Sequence, residues 1–186
     1  MQTAPRYSPY EQLLALPDGL TGEVLNGQLH TQPRPSGPHA IAGSSLGDEL
    51  VGPFHKGRGG PGGWWIVDEP EVHFVRDVEV AVPDLAGWRR SRMPTVPRDH
   101  RFEQVPDWVC EILSPSTASK DQDIKMPLYA HYGVAHAWLI DPVVRTLEAY
   151  ALRDGAWVGI GRFTAGDQVS VAPFEAVTIE LAGLWA

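Results

Sequence analysis

Cysteine is almost missing from this chain: Cys110 is the single one in 186 residues. An internal disulfide is therefore excluded, and so are the cysteine-rich zinc modules. The expected compartment is the reducing cytoplasm. Long hydrophobic runs are missing as well. None approaches the roughly 20 residues that a membrane helix needs, and the opening "MQTAPRYSPYEQ" lacks the apolar core of a secretory leader. Positive charge is scarce. Fifteen Lys and Arg stand against 23 Asp and Glu, for a net charge of −8, which argues against non-specific nucleic-acid binding by the whole surface. There is no internal repeat and no low-complexity segment. What remains is an ordinary globular composition, 43% hydrophobic and 20% charged, of a size that predicts one domain over 1–186.

Along the chain, Ser8, Pro9 and Glu11 make a capped helix start, followed by Leu13, Leu14 and Leu16 as a short apolar face. "PDGL" ends that helix. "GEVLNGQLH" predicts a hairpin on an Asn26-Gly27 type I′ turn. Ile41, Leu46 and Leu50 predict a helix over 37–50, and a Gly-rich loop follows over 52–63. "WWIV", "EVHFV", "VEVAV" and "DLAGW" are strand-like. "DWVCEIL" is a continuous apolar run, the mark of a central strand covered on both faces. A helix within "DQDIKMPLYAHYG" should close at Gly133. Pro127 tolerates only a helix beginning near Asp123, which leaves Asp121 in the preceding loop. "AHAWLID" is a second buried strand. "TLEAYALRDGAWVGIGRF" and "VTIELAGLW" alternate as antiparallel strands do, the former around an Asp-Gly turn. The sum is a mixed α/β domain with an extra β layer.

Chemistry concentrates at strand ends. Glu111 sits inside "VCEIL", and an acid in an apolar strand is costly unless it is paired or binds a cation. Asp84 follows Pro83 at the end of "VEVAV". It reads either as a turn residue or as a second acid beside Glu111. Two such acids on neighbouring strands repel unless a metal lies between them, and hard oxygen ligands select Mg²⁺ or Mn²⁺. Lys125 can orient a metal-bound water. It can equally be the i,i+4 partner of Asp121, worth about 0.2–0.5 kcal/mol. Asp107 is expected to face solvent. Tyr129 and Tyr132 fit a helix face packed on the sheet. Arg89, Arg90, Arg92, Arg98 and Arg101 crowd the loop after "DLAGW", which reads as a solvated loop or as a local site for DNA phosphates.

Together, "VPDLAGW", "VCEILSPSTASKDQDIK" and "YAHYGVAHAWLIDP" resemble the Uma2 family, also called DUF820, of restriction-endonuclease-like proteins. "GEVLNGQL" and "PRPSGPHAIAGSSLGDEL" are similar to that family's Glu-bearing hairpin and its helix led by a His. The resemblance spans about Tyr7 to Tyr150, and the specific part is the string from Glu111 to Pro142. The family resembles the PD-(D/E)XK nuclease superfamily. It implies a restriction-endonuclease-like mixed β-sheet flanked by helices, with additional antiparallel strands. It implies Asp84 and Glu111 as metal ligands, Glu23 as an outer ligand, and Lys125 as the water-orienting base partner. The superfamily's usual lysine position is occupied here by Leu113, so the lysine has moved to the following helix. His39 and Asp121 also match family positions.

The expected function is a Mg²⁺- or Mn²⁺-dependent endonuclease acting on DNA, with Arg89, Arg90 and Arg92 as possible DNA contacts. The alternative is a nuclease-fold binding protein that has lost turnover. The alternating apolar stretch from Thr146 to Trp185 leaves strand edges in need of cover, so a homodimer is expected.

Overall fold

The computed structural model describes residues 7–186. The leader reading falls partly on residues 1–6, which lie outside them. Helix α1 (Pro9–Leu14) starts with the expected capping box: Ser8 Oγ accepts the Glu11 amide, and the Glu11 carboxylate accepts the Ser8 amide. Its buried residue is Tyr10, while Leu14 is exposed. Strands β1 (Leu20–Leu25) and β2 (Gln28–Pro33) form the hairpin, with Asn26 and Gly27 at φ 52° and 73°, as a type I′ turn requires. Helix α2 (Gly37–Leu50) turns Ala42, Leu46 and Leu50 inward.

The loop expected after α2 begins differently. Val51–His55 extends the helix as a wide π-turn, closed by the Lys56 amide donating to the Val51 carbonyl. The wider ring leaves a carbonyl unclaimed, so Pro53 is accommodated without a donor.

The strands form a mixed sheet and, as the expected extra β layer, a second, mainly antiparallel sheet. The six-stranded sheet contains β3 (Trp64–Asp68), β6 (Leu85–Arg89), β8 (Trp108–Ile112), β9 (His136–Asp141), β10 (Thr146–Arg153) and β11 (Ala156–Thr164), in the order β11-β10-β9-β8-β6-β3. It is mixed, because β8 and β9 run parallel while the other pairs are antiparallel. The five-stranded sheet adds β4 (Glu71–Val75), β5 (Glu79–Ala81) and β7 (Arg101–Phe102) to the hairpin, in the order β2-β1-β5-β4-β7. A short pair, β12 (Gln168–Val169) and β13 (Ile179–Glu180), completes the strands. "VTIELAGLW" was expected to be extended throughout. Only β13 is; Leu181–Leu184 forms a 3₁₀ turn that buries Leu181 and Leu184.

Strand β8 is buried along its whole length, as the apolar run predicts. Its side chains alternate between two cores. Trp108, Cys110 and Ile112 face α2 and the C-terminal segment, whereas Val109 faces the core of Tyr129 and Leu128. Phe174 is the centre of the first core. It packs on Phe54, Trp64, Trp108 and Trp138 at ring-centroid distances of 4.7, 5.0, 4.9 and 5.5 Å. Phe174→Ala is therefore expected to cost about 3–5 kcal/mol, measured by urea unfolding. A loss under about 1 kcal/mol would show that the tryptophans repack around the gap.

Candidate active site

Asp84 lies just before β6, and the β6–β8 register pairs Leu85 with Cys110. One step further along this antiparallel ladder sets Asp84 opposite Glu111, and opposite residues share a sheet face. The two carboxylates are thus neighbours, and both line one cleft of about 300 Å³. Asp84 is fixed on two sides. Its Oδ2 accepts the Ile112 amide at 2.6 Å, and His39 Nε2 lies 3.2 Å from Oδ1. His39 enters from the first turns of α2. Burial alone would lower its pKa, but the Asp84 carboxylate outweighs burial and holds the imidazole above its ordinary value.

Glu111 is 2% exposed and accepts a hydrogen bond on each carboxylate oxygen. Lys125 Nζ donates to Oε2 at 2.8 Å, and the Tyr129 hydroxyl donates to Oε1. Lys125 is 1% exposed and also reaches Glu23 Oε1 at 3.0 Å and the Val82 carbonyl at 3.1 Å. Desolvation would drive that ammonium toward neutrality; Glu111 and Glu23 more than reverse this, so its pKa stands well above the ordinary lysine value. Glu23 stands behind Lys125. It accepts the Val82 amide at 2.9 Å and a second lysine, Lys120, at 2.5 Å. Burial pushes its pKa up, and the two lysines pull it below the usual carboxylate range.

The helix that presents these groups departs from expectation in one turn. Helix α3 (Ala118–Lys120) passes into a π-turn over Asp121–Lys125 and then into α4 (Met126–Tyr132), closed by Gly133 at φ 80°. Asp121 is therefore in the helix and buried, not in a loop. The i→i+5 geometry lets the helix run on into Pro127. The Asp121–Lys125 pair is present at 3.8 Å, the longest of the lysine's ion pairs. It is one member of a cluster rather than the whole role of Lys125.

Four carboxylates, Glu23, Asp84, Glu111 and Asp121, surround two lysines and one histidine. Burial, with neighbouring acids added to it, raises the pKa of Glu111 well above its ordinary value and raises that of Asp121 as well. This excess of buried acid suits a hard cation. Among the described residues no three His, Cys, Asp or Glu side chains form a ready-made chelate. The carboxylates that line the cleft are Glu69, Asp84, Glu111 and Asp121. Glu23 is held by its lysines away from the cleft lining.

The arginines lie elsewhere. Arg89 is at the other end of β6 from Asp84, roughly 16 Å away at strand rise. Arg90 donates to the Trp64 and His55 carbonyls and stacks on Trp65, and Arg89 lies over the Trp64 ring. Arg92 pairs with Asp107 at 2.7 Å. Asp107, expected in solvent, is buried, because it also accepts the Arg89 amide and so organises the loop. Sequence reasoning missed Tyr129 as a partner of Glu111 and Lys120 as a partner of Glu23. The first had a signal, since Lys125 and Tyr129 are spaced i,i+4 and share a helix face. The second pairs residues 97 positions apart and had none.

Removing Lys125 strands the buried Glu111 carboxylate and leaves Glu23 with Lys120 alone. Lys125→Met is expected to cost about 3–5 kcal/mol at neutral pH, read by urea unfolding. The deficit should shrink as pH falls, because Glu111, deprived of its cation, takes up a proton more readily folded than unfolded. A deficit below about 1 kcal/mol that ignores pH would show that the ammonium is not needed to keep those acids inside.

Comparison with known proteins agrees with this architecture. The chain aligns over 96% of its length with 97% of a solved chain titled a putative nuclease belonging to DUF820, from Anabaena variabilis, at 23% identity and a TM-score of 0.70, which shows a shared fold. No curated protein matches the chain. The Uma2 family model, described as "Putative restriction endonuclease", matches residues 9–182. With nearly its whole length inside that match, the chain belongs to the Uma2 family.

Proposed function

We propose that this protein is a Mg²⁺- or Mn²⁺-dependent endonuclease that hydrolyses DNA phosphodiester bonds. One observation carries the reading: Asp84, just before β6, and Glu111, on the neighbouring strand β8, line one cleft, with the Lys125 ammonium bonded to Glu111. Asp84 and Glu111 would hold the cation. When bound, it supplies polarisation of the scissile phosphate and a lowered pKa for the attacking water. Lys125 stays protonated and stabilises the negative charge that develops beside Glu111. Glu23 and the Val82 carbonyl keep that ammonium in place, and Tyr129 keeps Glu111 in one orientation. Asp84 is held by the Ile112 amide and His39. Arg89 and Arg92, exposed at the far end of β6, would meet flanking backbone rather than the scissile phosphate.

A binding protein that kept only the fold gives no reason for this cluster, since buried charge is seldom worth its desolvation in stability alone. A cytoplasmic setting belongs to the same reading. Cys110 is a free buried thiol, and no helix among the described residues is long and apolar enough to cross a membrane.

Asp84→Asn keeps the shape and removes a ligand charge. It should lower divalent-dependent nicking of supercoiled plasmid by on the order of 10²–10³ and abolish the rise in melting temperature that Mn²⁺ gives the wild type. A wild-type protein that cleaves neither duplex, flap nor single-stranded DNA with Mg²⁺ or Mn²⁺ would refute the nuclease reading.

The chain is also proposed to pair as a homodimer. Strand β11 ends the six-stranded sheet, is nine residues long, and leaves Val158 42% exposed. An uncovered edge of that length templates pairing with a second copy. Sedimentation at micromolar concentration should give the dimer mass; a monomer would contradict it.

A further inference from the structure

The cleft does not end at Asp84. It continues into a groove of about 420 Å³ along α2, and the two share Pro35, His39, Glu69 and Asp84. Their chemistry differs. The mouth of the cleft carries Arg34, Ser36 and the Ser114–Thr117 turn. Lys125 is closed in behind Glu111 and His39 is engaged by Asp84, so the exposed Arg34 is the cation that an incoming phosphate meets first. The groove is mainly apolar. Ile66, Leu85 and Ile112 form its floor, and Gly43 and Gly47 keep the α2 wall low. Its charged lining is the carboxylates of Asp68, Glu69 and Asp84 against the imidazole of His39.

A phosphate is repelled from such a groove. A flat, uncharged base is not, and carboxylates there accept hydrogen bonds from an exocyclic amino group, as Asp and Glu do from cytosine N4. Thymine offers a carbonyl oxygen at the same place and is disfavoured. A base can enter only if it is out of the duplex stack.

Resting on the nuclease reading above, we propose that the α2 groove seats an unpaired, amino-bearing base of the nucleotide next to the scissile phosphate, while Arg34 holds the backbone at the mouth. The substrate class is then single-stranded or flapped DNA rather than intact duplex.

Fluorescence anisotropy in Ca²⁺ with short labelled oligo-dC, oligo-dT, an abasic strand and a duplex tests this. Oligo-dC should bind about tenfold tighter than oligo-dT or the abasic strand, and the duplex should bind less tightly than oligo-dC. Gly47→Leu builds its side chain into open space without a clash at Cβ and should erase the preference for oligo-dC. Arg34→Ala should weaken all single strands alike and lower the log–log salt slope by about 0.7. Equal binding of oligo-dC and the abasic strand overturns the base seat, as does an undiminished preference in a Gly47→Leu protein with a wild-type melt. An unchanged salt slope in Arg34→Ala overturns the backbone anchor. A wild-type protein that binds no strand at all overturns the nuclease reading itself, and this inference with it.

Discussion

The buried Glu111–Lys125 pair is the constraint around which the site is arranged. Neither group can be dry and charged alone; desolvation of either ion costs several kcal/mol even after relaxation. Each partner therefore needs further partners. Glu111 takes the Tyr129 hydroxyl on its second oxygen, and Lys125 takes Glu23 and the Val82 carbonyl. Glu23 in turn draws in Lys120, which also reaches Gln32 on β2. The chain of demands ties the hairpin, the central strand and the helix of Asp121–Tyr132 into one polar knot between the two sheets.

That knot explains the shape of the helix. A regular α-helix through Pro127 would leave a clash and a missing donor. The π-turn over Asp121–Lys125 absorbs the proline and keeps both Asp121 and Lys125 on the side facing Glu111. It also explains why the lysine can sit on a helix at all. The position two residues past Glu111 is Leu113, a buried apolar residue, and the ammonium arrives instead from a separate element whose placement the ion pairs enforce. An apolar packing of the same volume would commonly be as stable or more so. Retaining four buried charges, Glu23, Glu111, Asp121 and Lys125, and a phenol is a cost that the proposed chemistry accounts for and that holding the fold does not.

Much of this was readable from the residues. The apolar run around Glu111 implied a doubly covered strand with an acid that needs a partner, and β8 is that strand. Asn26-Gly27 and Asp154-Gly155 specify their turns through local backbone preference, so both hairpins were legible. Long-range facts were not. Nothing local says that β4, β5 and the first hairpin form their own sheet, because which strand pairs with which is decided by packing. Asp107 looked exposed because a Pro-Asp pair before a strand usually is; here the Arg92 guanidinium and the Arg89 amide repay its burial. Tyr129 looked like packing because a tyrosine on an apolar helix face satisfies that role without its hydroxyl. The Glu23–Lys120 contact had no sequence signal, since its partners come from a hairpin and a helix that meet only in the folded chain.

The central claim is that Asp84 and Glu111 together hold a divalent ion. A crystal soaked in Mn²⁺ and measured at the manganese absorption edge tests it directly. The account predicts one anomalous peak about 2.0–2.6 Å from an oxygen of each carboxylate, with Lys125 still bonded to Glu111. A peak bound by neither acid, or no peak at saturating Mn²⁺, would contradict it.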